Sequence, residues 1–303
     1  MSEIFKIRPS FPYVTVVIPA LNASSFIAVQ LEALVQQEYP GGWEVIVVDN
    51  GSTDNTVEIA ESFRYKLNIQ IVSAVGTYCP AYARNTGAKI AKGELLCFCD
   101  ADDRVCQKWI LSMVCAAHHA DAVGGRIDEV SLNDTKIQKW RTPLSRSGLP
   151  NAWYYLDYAP SGNFAIWKDK FDLLGGFDEE YYSCEDIEIC WRLQINGGTL
   201  SYCNDAVVSY RHRNSLLGLA RQNYIRARWA VLLVAKSKTN RESEPHLGSL
   251  MERVLYWDPI CPNSFSIGRI VGIISMELGI LAGIVIQTWN NIKIWAMTSK
   301  DSL

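Results

Sequence analysis

Two short acidic stretches carry the strongest chemical signal in the chain. In the first, the apolar run of LLCFCDADD ends in Asp100, Asp102 and Asp103. Alternation along a strand points Asp100 and Asp102 in the same direction. Two convergent carboxylates repel each other unless a cation sits between them, and hard oxygen donors suit Mg²⁺ or Mn²⁺. Such a cation can hold a diphosphate; used structurally, the same residues would make an acidic turn that caps the next helix. The second stretch is Glu185-Asp186, followed by Glu188. A carboxylate there can act as a general base, and crowding three acids should raise the pKa of at least one. The same three charges would also favour a helix N-terminus by charge alone.

These residues need a scaffold that brings strand ends together. Apolar, β-branched runs recur at Tyr13–Ile18, Glu44–Val48, Ile69–Ser73 and Leu95–Cys99, separated by stretches of helical periodicity. The spacing predicts helices over 24–37, 53–65 and 80–91, with Ser52-Thr53-Asp54 as the cap of the second. This alternation implies an α/β fold with a mostly parallel sheet flanked by helices. Open α/β sheets bind ligands beyond the carboxyl ends of their strands. The turns Pro19-Ala20-Leu21-Asn22, Asp49-Asn50-Gly51-Ser52 and Asp100-Ala101-Asp102-Asp103 are therefore expected to converge on one crevice. Further on, a helix is expected over 107–119, a strand over 122–127, an irregular stretch over 133–151 and a strand over 163–167. Helices over 168–174 and 185–196 and a strand over 206–209 follow. Trp140, Trp153, Tyr154 and Tyr155 could either stack on a sugar or pack in the core.

VTVVIPALN, VVDNGSTDNT and ARNTGAKIAKGELLCFCDADD occur in that order within Val14–Asp103. Together they resemble the nucleotide-binding half of family 2 glycosyltransferases of the GT-A, or nucleotide-diphospho-sugar transferase, fold. SGNFAIWKDKFDLLGGFDEEYYSCEDIEICWRL resembles the acceptor-side segment of the same family. Leu21 departs from the pattern, since the family often carries an aromatic residue there. The resemblance implies an inverting, metal-dependent transfer of a sugar from a nucleoside-diphosphate sugar to an acceptor hydroxyl on a polysaccharide, glycolipid or other glycoconjugate. By it, Pro19, Ala20, Asn22, Asp49, Ser52, Arg84, Asp100, Ala101 and Arg213 contact the donor nucleotide, with Pro19, Asp49 and Arg84 at its base and ribose. Asp186 is the expected base, with Glu185 beside it, and Asp100, Asp102 and His212 are the expected ligands of Mg²⁺ or Mn²⁺. Each has a structural alternative: Asp49 as a turn aspartate, Arg84 as a plain ion pair, His212 as a hydrogen-bonded residue. Arg211 and Arg213 offer positive charge for a departing diphosphate.

The resemblance divides the chain into a catalytic domain at 1–213, with halves at 13–105 and 106–213, and a C-terminal helical region at 214–303. A basic amphipathic helix is expected over 216–238; it either lies on an anionic membrane or packs on the catalytic domain. Ile270–Trp289 is long enough to cross a bilayer, but Glu277 at its centre is costly there. Gly268, Gly272, Gly279 and Gly283 share a helical face that suits close helix pairing. The segment is thus either a membrane-associated or self-associating helix, or a buried soluble one. Processive relatives carry Gln-x-x-Arg-Trp; here Gln222 is followed three places later by Ile225 and Arg228-Trp229 comes too late, which argues against a processive polymerase.

A net charge of −3 gives no general attraction to nucleic acid. The nine cysteines are an odd count without framework spacing; Cys97, Cys99, Cys106 and Cys115 are expected as reduced, buried thiols. Residues 1–12 lack a basic start followed by an apolar run, so the expected location is the cytoplasm, at the inner face of the plasma membrane. Two rivals remain. A sugar-phosphate nucleotidyltransferase would need a Gly-rich basic loop after the first strand, and Pro19–Ser25 contains neither glycine nor a basic residue. A catalytically silent, membrane-bound sugar-binding scaffold would not need Asp100, Asp102 and Asp186 together.

Overall fold

Strands that are buried on both faces read as continuous β-branched runs, and the computed structural model shows that arrangement at the centre of the molecule. It describes residues 8–140, 148–152, 155–239, 271 and 274–286. The elements of the first half are β1 (Val14–Ala20), α1 (Ile27–Val35), β2 (Trp43–Asp49), α2 (Thr56–Glu61), β3 (Ile69–Ser73), α3 (Pro80–Ile90), β4 (Leu95–Cys99) and β5 (Arg104–Val105). There follow α4 (Trp109–Ala117), β6 (Ala122–Asp128), α5 (Thr135–Gln138), β7 (Asn151–Ala152), β8 (Leu156–Asp157), β9 (Asn163–Trp167), α6 (Lys168–Leu174), α7 (Glu185–Ile195), β10 (Leu200–Ser209) and α8 (Leu216–Thr239). A further helical stretch covers 274–286.

Eight strands form one sheet in the order β3-β2-β1-β4-β9-β6-β10-β5. The first four are mutually parallel, as is the β6–β10 pair, whereas β9 runs antiparallel to both β4 and β6. The expected mostly parallel sheet is therefore present, with β9 inserted as a reversed strand between its halves. Period-two alternation sorts side chains to two cores. Val14, Val16, Ile18, Cys97 and Cys99 face Leu31, Leu34, Trp109 and Met113, while Val17, Ile46, Val48, Leu96 and Phe98 face Ala83, Phe171 and Ile189. Gly87 lets α3 approach closely: a Cβ there would stand 2.5 Å from Val17 Cγ1 and 2.9 Å from Val48 Cγ2.

Several expectations shift. The helices expected over 24–37 and 53–65 shorten to α1 and α2. The N-cap of α2 is Asn55, with no side-chain cap bond, while Asp54 accepts from the Thr56 amide at 3.1 Å. The strand expected over 206–209 extends back to Leu200, with a register shift between Cys203 and Val207. The stretch expected to be irregular over 133–151 holds the short helix α5, and residues 141–147 lie outside the described residues. Cys97 and Cys99 are buried free thiols as expected, but Cys106 is half-buried and Cys115 is exposed. Cys115 occupies an α4 position turned away from the sheet, since Ile110, Met113, Val114 and Ala117 form that helix's buried face.

The C-terminal region also resolves one alternative. α8 packs Ala230, Val231, Leu233 and Val234 against Ile187 and Trp191 of α7, so the basic helix docks on the catalytic domain. Gly279 and Gly283 press on α8: Cβ atoms there would meet the Tyr224 carbonyl oxygen at 2.3 Å and the Arg228 carbonyl oxygen at 2.8 Å. At those two positions the glycine face is thus used within the chain, whereas Gly268 and Gly272 lie outside the described residues. Among the described residues no helix is long and apolar enough to cross a membrane.

Candidate active site at the strand ends

The first two turns are bolted together by side chains bonding backbone. Asn22 adopts a left-handed φ of 51°, a conformation that short amide side chains tolerate. Its amide donates to Ser52 Oγ at 2.9 Å, and its Oδ1 accepts from the Thr53 amide at 2.8 Å. The Ala23 amide donates to Thr56 Oγ1 at 2.8 Å and the Ser24 amide to Asp54 Oδ2 at 3.1 Å. Bonds from Thr56 and then Ser24 hold the Asp54 carboxyl down to about 2. Asp49 accepts from the amides of Ser52 at 3.0 Å and Gly51 at 3.3 Å, so it shapes its own turn as the structural alternative required. Pro19 and Ala20 pair in register with Val48 and Asp49. Leu21, at the position where the resembled pattern often has an aromatic, is 47% exposed; the exposed ring of Tyr78 reaches the same region, 3.1 Å from where a Gly51 Cβ would lie.

Arg84, one turn before Gly87 on α3, joins the two acidic stretches. Its Nη2 lies 2.7 Å from Asp100 Oδ1 and its Nη1 2.9 Å from Glu185 Oε1, with the side chain only 4% exposed. Burial opposes the guanidinium charge, but Asp100 and Glu185 outweigh it and raise the pKa. Arg84 thus makes the ion pair that was one of its two readings. Gly162 makes room beside it, since a Cβ there would stand 2.7 Å from Asp100 Oδ2. Asn163 anchors that turn: it accepts from Trp109 Nε1 at 2.8 Å and donates to the carbonyls of Arg126 and Ala206, both at 2.9 Å.

The third turn faces the end of β10. β5 pairs Val105 with Val208 and Arg104 with Ser209, which brings the following arginines back over the aspartates. The Arg211 amide donates to Asp103 Oδ1 at 2.8 Å and its Nε to the Asp102 carbonyl at 2.9 Å, while Arg213 Nη1 lies 3.2 Å from Asp102 Oδ2. Asp100 and Asp102 keep 29% and 23% of their side chains exposed. Asp103 is buried, and its Oδ2 has no partner among the described residues. Burial first, then the charge of Asp100, pushes Asp102 up, and the same causes push Asp103 well above the carboxylate range.

His212 is buried beside these residues. Its amide donates to Asn133 Oδ1 at 2.8 Å and its Nε2 lies 3.3 Å from Glu129 Oε1, which leaves a buried Nδ1 without a partner among the described residues. Metal-ligating histidines commonly donate their other ring N–H to a carboxylate. Among the described residues no three His, Cys, Asp or Glu side chains converge to hold a metal by themselves. The donor set still fits a hard cation: two partly exposed carboxylates, an orphaned carboxylate oxygen behind them, and a repulsion that a cation would relieve.

At the opposite wall, α7 opens with Cys184 at a left-handed φ of 71°. Asp186 Oδ1 accepts from the Ile187 amide at 2.9 Å and Oδ2 from the Ser161 amide at 3.3 Å, while Ser161 Oγ donates to Glu185 Oε1 at 3.3 Å. Burial, and next the Asp186 charge, raises Glu185 to about 7; burial also raises Asp186 against those two amides. Glu185 is thus pushed toward protonation although it pairs with Arg84, whose own charge is reinforced. Arg84 stays charged in this exchange because Asp100 also holds it. Glu188 does not join the crowd: it turns to Arg192 at 2.5 Å, so two acids interact where three were expected.

Sequence reasoning missed Ser161, Gly162, Glu129 and Asn133. Only SGN, lying between an irregular stretch and a strand, offered a local signal; the others come together through tertiary pairing. Of the four aromatics that could stack or pack, Trp140 packs with Ile137 and Leu219, and Tyr155 stands edge-on to Trp191 at 4.9 Å. Trp153 and Tyr154 lie outside the described residues. A separate cavity of about 540 Å³ lies among Asn85, Gly176, Glu179, Glu188, Arg192 and Lys236. It includes none of Asp100, Asp102 or Asp186, and its cations are paired with carboxylates.

A mixed sheet with acidic turns beyond its strand ends, facing a second acidic wall, defines the architecture of nucleotide-sugar transferases. Residues 15–175 match the model of glycosyl transferase family 2, and the chain belongs to that family. It is 29% identical over 205 residues to Glycosyltransferase AglE of Haloferax volcanii, covering 65% of this chain and 66% of the relative. The matched segment spans about a third to two thirds of the first curated relatives' lengths. In structure it is similar to residues 1–349 of Staphylococcus aureus TarS in complex with UDP-GlcNAc, with a TM-score of 0.57, 20% identity, and coverage of 89% of this chain and 91% of that one. It is also similar to the mannosyltransferase PcManGT of Pyrobaculum calidifontis in complex with GDP-Man and Mn²⁺, with a TM-score of 0.64, 19% identity, and coverage of 92% and 88%. These likenesses confirm the expected GT-A fold.

Proposed function

We propose that this chain transfers a sugar, with inversion, from a nucleoside-diphosphate sugar to an acceptor hydroxyl, with Mg²⁺ or Mn²⁺ at Asp100 and Asp102. The observation that carries the reading is the pairing of two acidic walls through one arginine: Arg84 holds Asp100 on the donor side and Glu185, next to Asp186, on the other. The nucleotide complexes of TarS and PcManGT support the donor class, and the Mn²⁺ of PcManGT supports the metal. Base and ribose would lie over Pro19, Ala20, Asn22, Asp49 and Ser52, with Ala101 and Arg213 nearer the phosphates.

A bound divalent ion would offset diphosphate charge as the glycosidic bond breaks. Asp100 and Asp102 would hold it, and His212 would join them only by moving, since no three such side chains converge among the described residues. Arg213, 57% exposed beyond its contact with Asp102, can swing onto the diphosphate and neutralise it. Asp186, its two oxygens held by the Ile187 and Ser161 amides, takes the proton from the attacking hydroxyl. Its raised pKa makes it a stronger base than a solvated aspartate. Glu185 holds Arg84 and keeps the wall in place.

The test is a panel of nucleotide sugars with Mg²⁺ or Mn²⁺, read by release of nucleoside diphosphate. At least one donor should be consumed, and Asp186→Asn should slow transfer about 10²–10⁴-fold. Unchanged transfer in that variant would remove Asp186 as the base. Attachment to a membrane face through 270–289 is a further part of the proposal, supported by the exposed Ile274, Leu278, Leu281 and Val285 opposite the glycine face. Failure of the full chain to sediment with anionic liposomes would refute it.

A further inference from the structure

The buried face of α1 breaks its own apolar pattern. Ile27, Leu31 and Leu34 pack against the side chains of β1 and β4, and Gln30 stands among them with no exposed surface. A buried side-chain amide costs free energy unless its groups are bonded, and sequences break such local rules most often where function requires it. Both ends of the Gln30 amide are used. Nε2 donates to the Asp100 carbonyl at 3.2 Å, and Oε1 accepts from the Val105 amide at 3.0 Å. One planar group therefore ties together the two ends of the turn that carries Asp100 and Asp102.

Between those ends, the Asp103 amide donates to the Asp100 carbonyl at 3.4 Å and Arg211 Nε to the Asp102 carbonyl at 2.9 Å. Gln37, just past the end of α1, makes bonds of the same kind outside the turn: its Nε2 donates to the Cys106 carbonyl at 2.7 Å and its Oε1 accepts from the Ile110 amide at 3.0 Å. Only the bonds of Gln30 close around the aspartates. Groups that orient ligands before a cation arrives add to its affinity, because the ligands need not be ordered on binding. We infer that Gln30 is a positioning residue that sets the Asp100–Asp102 turn for a divalent ion before the ion binds. The inference rests on the metal reading above and adds to it the residue that shapes the metal turn.

The experiment titrates UDP and GDP into the full chain by calorimetry, with Mn²⁺ and with chelator, in the wild type, Gln30→Met and Gln37→Met. Methionine keeps the length of the side chain and removes both bonds. Gln30→Met should cut the metal-dependent gain in nucleotide affinity about tenfold or more, while affinity in chelator moves less than about threefold. Gln37→Met loses bonds of the same kind, yet it should leave the metal gain within about threefold of the wild type, which separates positioning from a general loss of packing. A second readout needs neither metal nor activity. In the metal-free wild type, NMR-resolved hydrogen exchange should find the Val105 amide protected about 10²-fold or more, since its bond to Gln30 is already made. That measurement decides the matter if Gln30→Met does not fold. A metal gain preserved in Gln30→Met, an equal loss in Gln37→Met, or a Val105 amide that is unprotected until Mg²⁺ and nucleotide are added would overturn the inference. A wild type that binds nucleotide equally with and without metal would instead refute the metal reading itself.

Discussion

The two walls of the cleft are built by different means. The donor wall is a set of neighbouring turns locked by local hydrogen bonds, in which Asn22, Ser52 and Thr56 bond backbone amides across the ends of β1 and β2 and the carboxylates of Asp49 and Asp54 accept amides of the same turns. The acceptor wall is held by ionisable groups drawn from distant parts of the chain, with Arg84, Ser161, Glu185 and Asp186 brought together from three separate segments. In the first arrangement bonds from Thr56 and Ser24 hold Asp54 down to about 2, so that carboxylate keeps its charge across the neutral range. The second couples shape to protonation, as the proposed role of Asp186 as a base would need.

The difference can be pressed from both sides. Asn22→Ala removes the acceptor for the Thr53 amide and leaves at a left-handed φ a residue without the short polar side chain that tolerates it, so it should lower stability by about 1–3 kcal/mol. In urea titrations at several pH values the loss should be the same throughout. A loss that varies across the neutral range would show that Asn22 is coupled to a group titrating there.

A smaller effect is expected at the acceptor wall. In the proposed reaction Asp186 acts ionised, so kcat/KM should fall on the acid side at an apparent pKa that burial holds above the ordinary aspartate value and that belongs to the coupled Glu185–Asp186 pair. Glu185→Gln removes one charge of that pair and should move this limb to lower pH. The linkage to stability has the opposite sense. The Glu185 pKa is raised from 4.5 to about 7 on folding, so its contribution is fully present below about 4.5 and is lost as pH rises through about 7. An acid limb unmoved by Glu185→Gln would show that the two carboxyls titrate independently.

The contrast also explains what the sequence alone reveals. The donor wall is local: each turn follows its own strand, so the apolar runs ending at Ala20, Asp49 and Cys99 are enough to bring Asn22, Ser52 and Asp100 to one crevice. Asp186 is legible for a different reason, because Glu185-Asp186 opens a helix in a recognisable segment. The partners of these residues are not legible. Ser161 meets Glu185 only because β9 inserts antiparallel between β4 and β6. Cys184, at the start of α7, meets the Arg226 carbonyl only because α8 folds back on α7. His212 stands out in the sequence, but its anchors Glu129 and Asn133 come from another loop. The glycine face at 279 and 283 reads as a close-packing surface, while its partner, α8, follows from tertiary packing alone.

In the proposed reaction Asp100 and Asp102 tether a diphosphate through a divalent ion. Isothermal titration of UDP and of GDP into the full chain, with Mn²⁺ and with chelator, tests this most directly. At least one nucleotide should bind about tenfold or more tighter with metal, and Asp102→Asn should abolish that gain while melting as a folded protein. Equal affinity with and without Mn²⁺, or a metal gain that survives Asp102→Asn, would contradict the account.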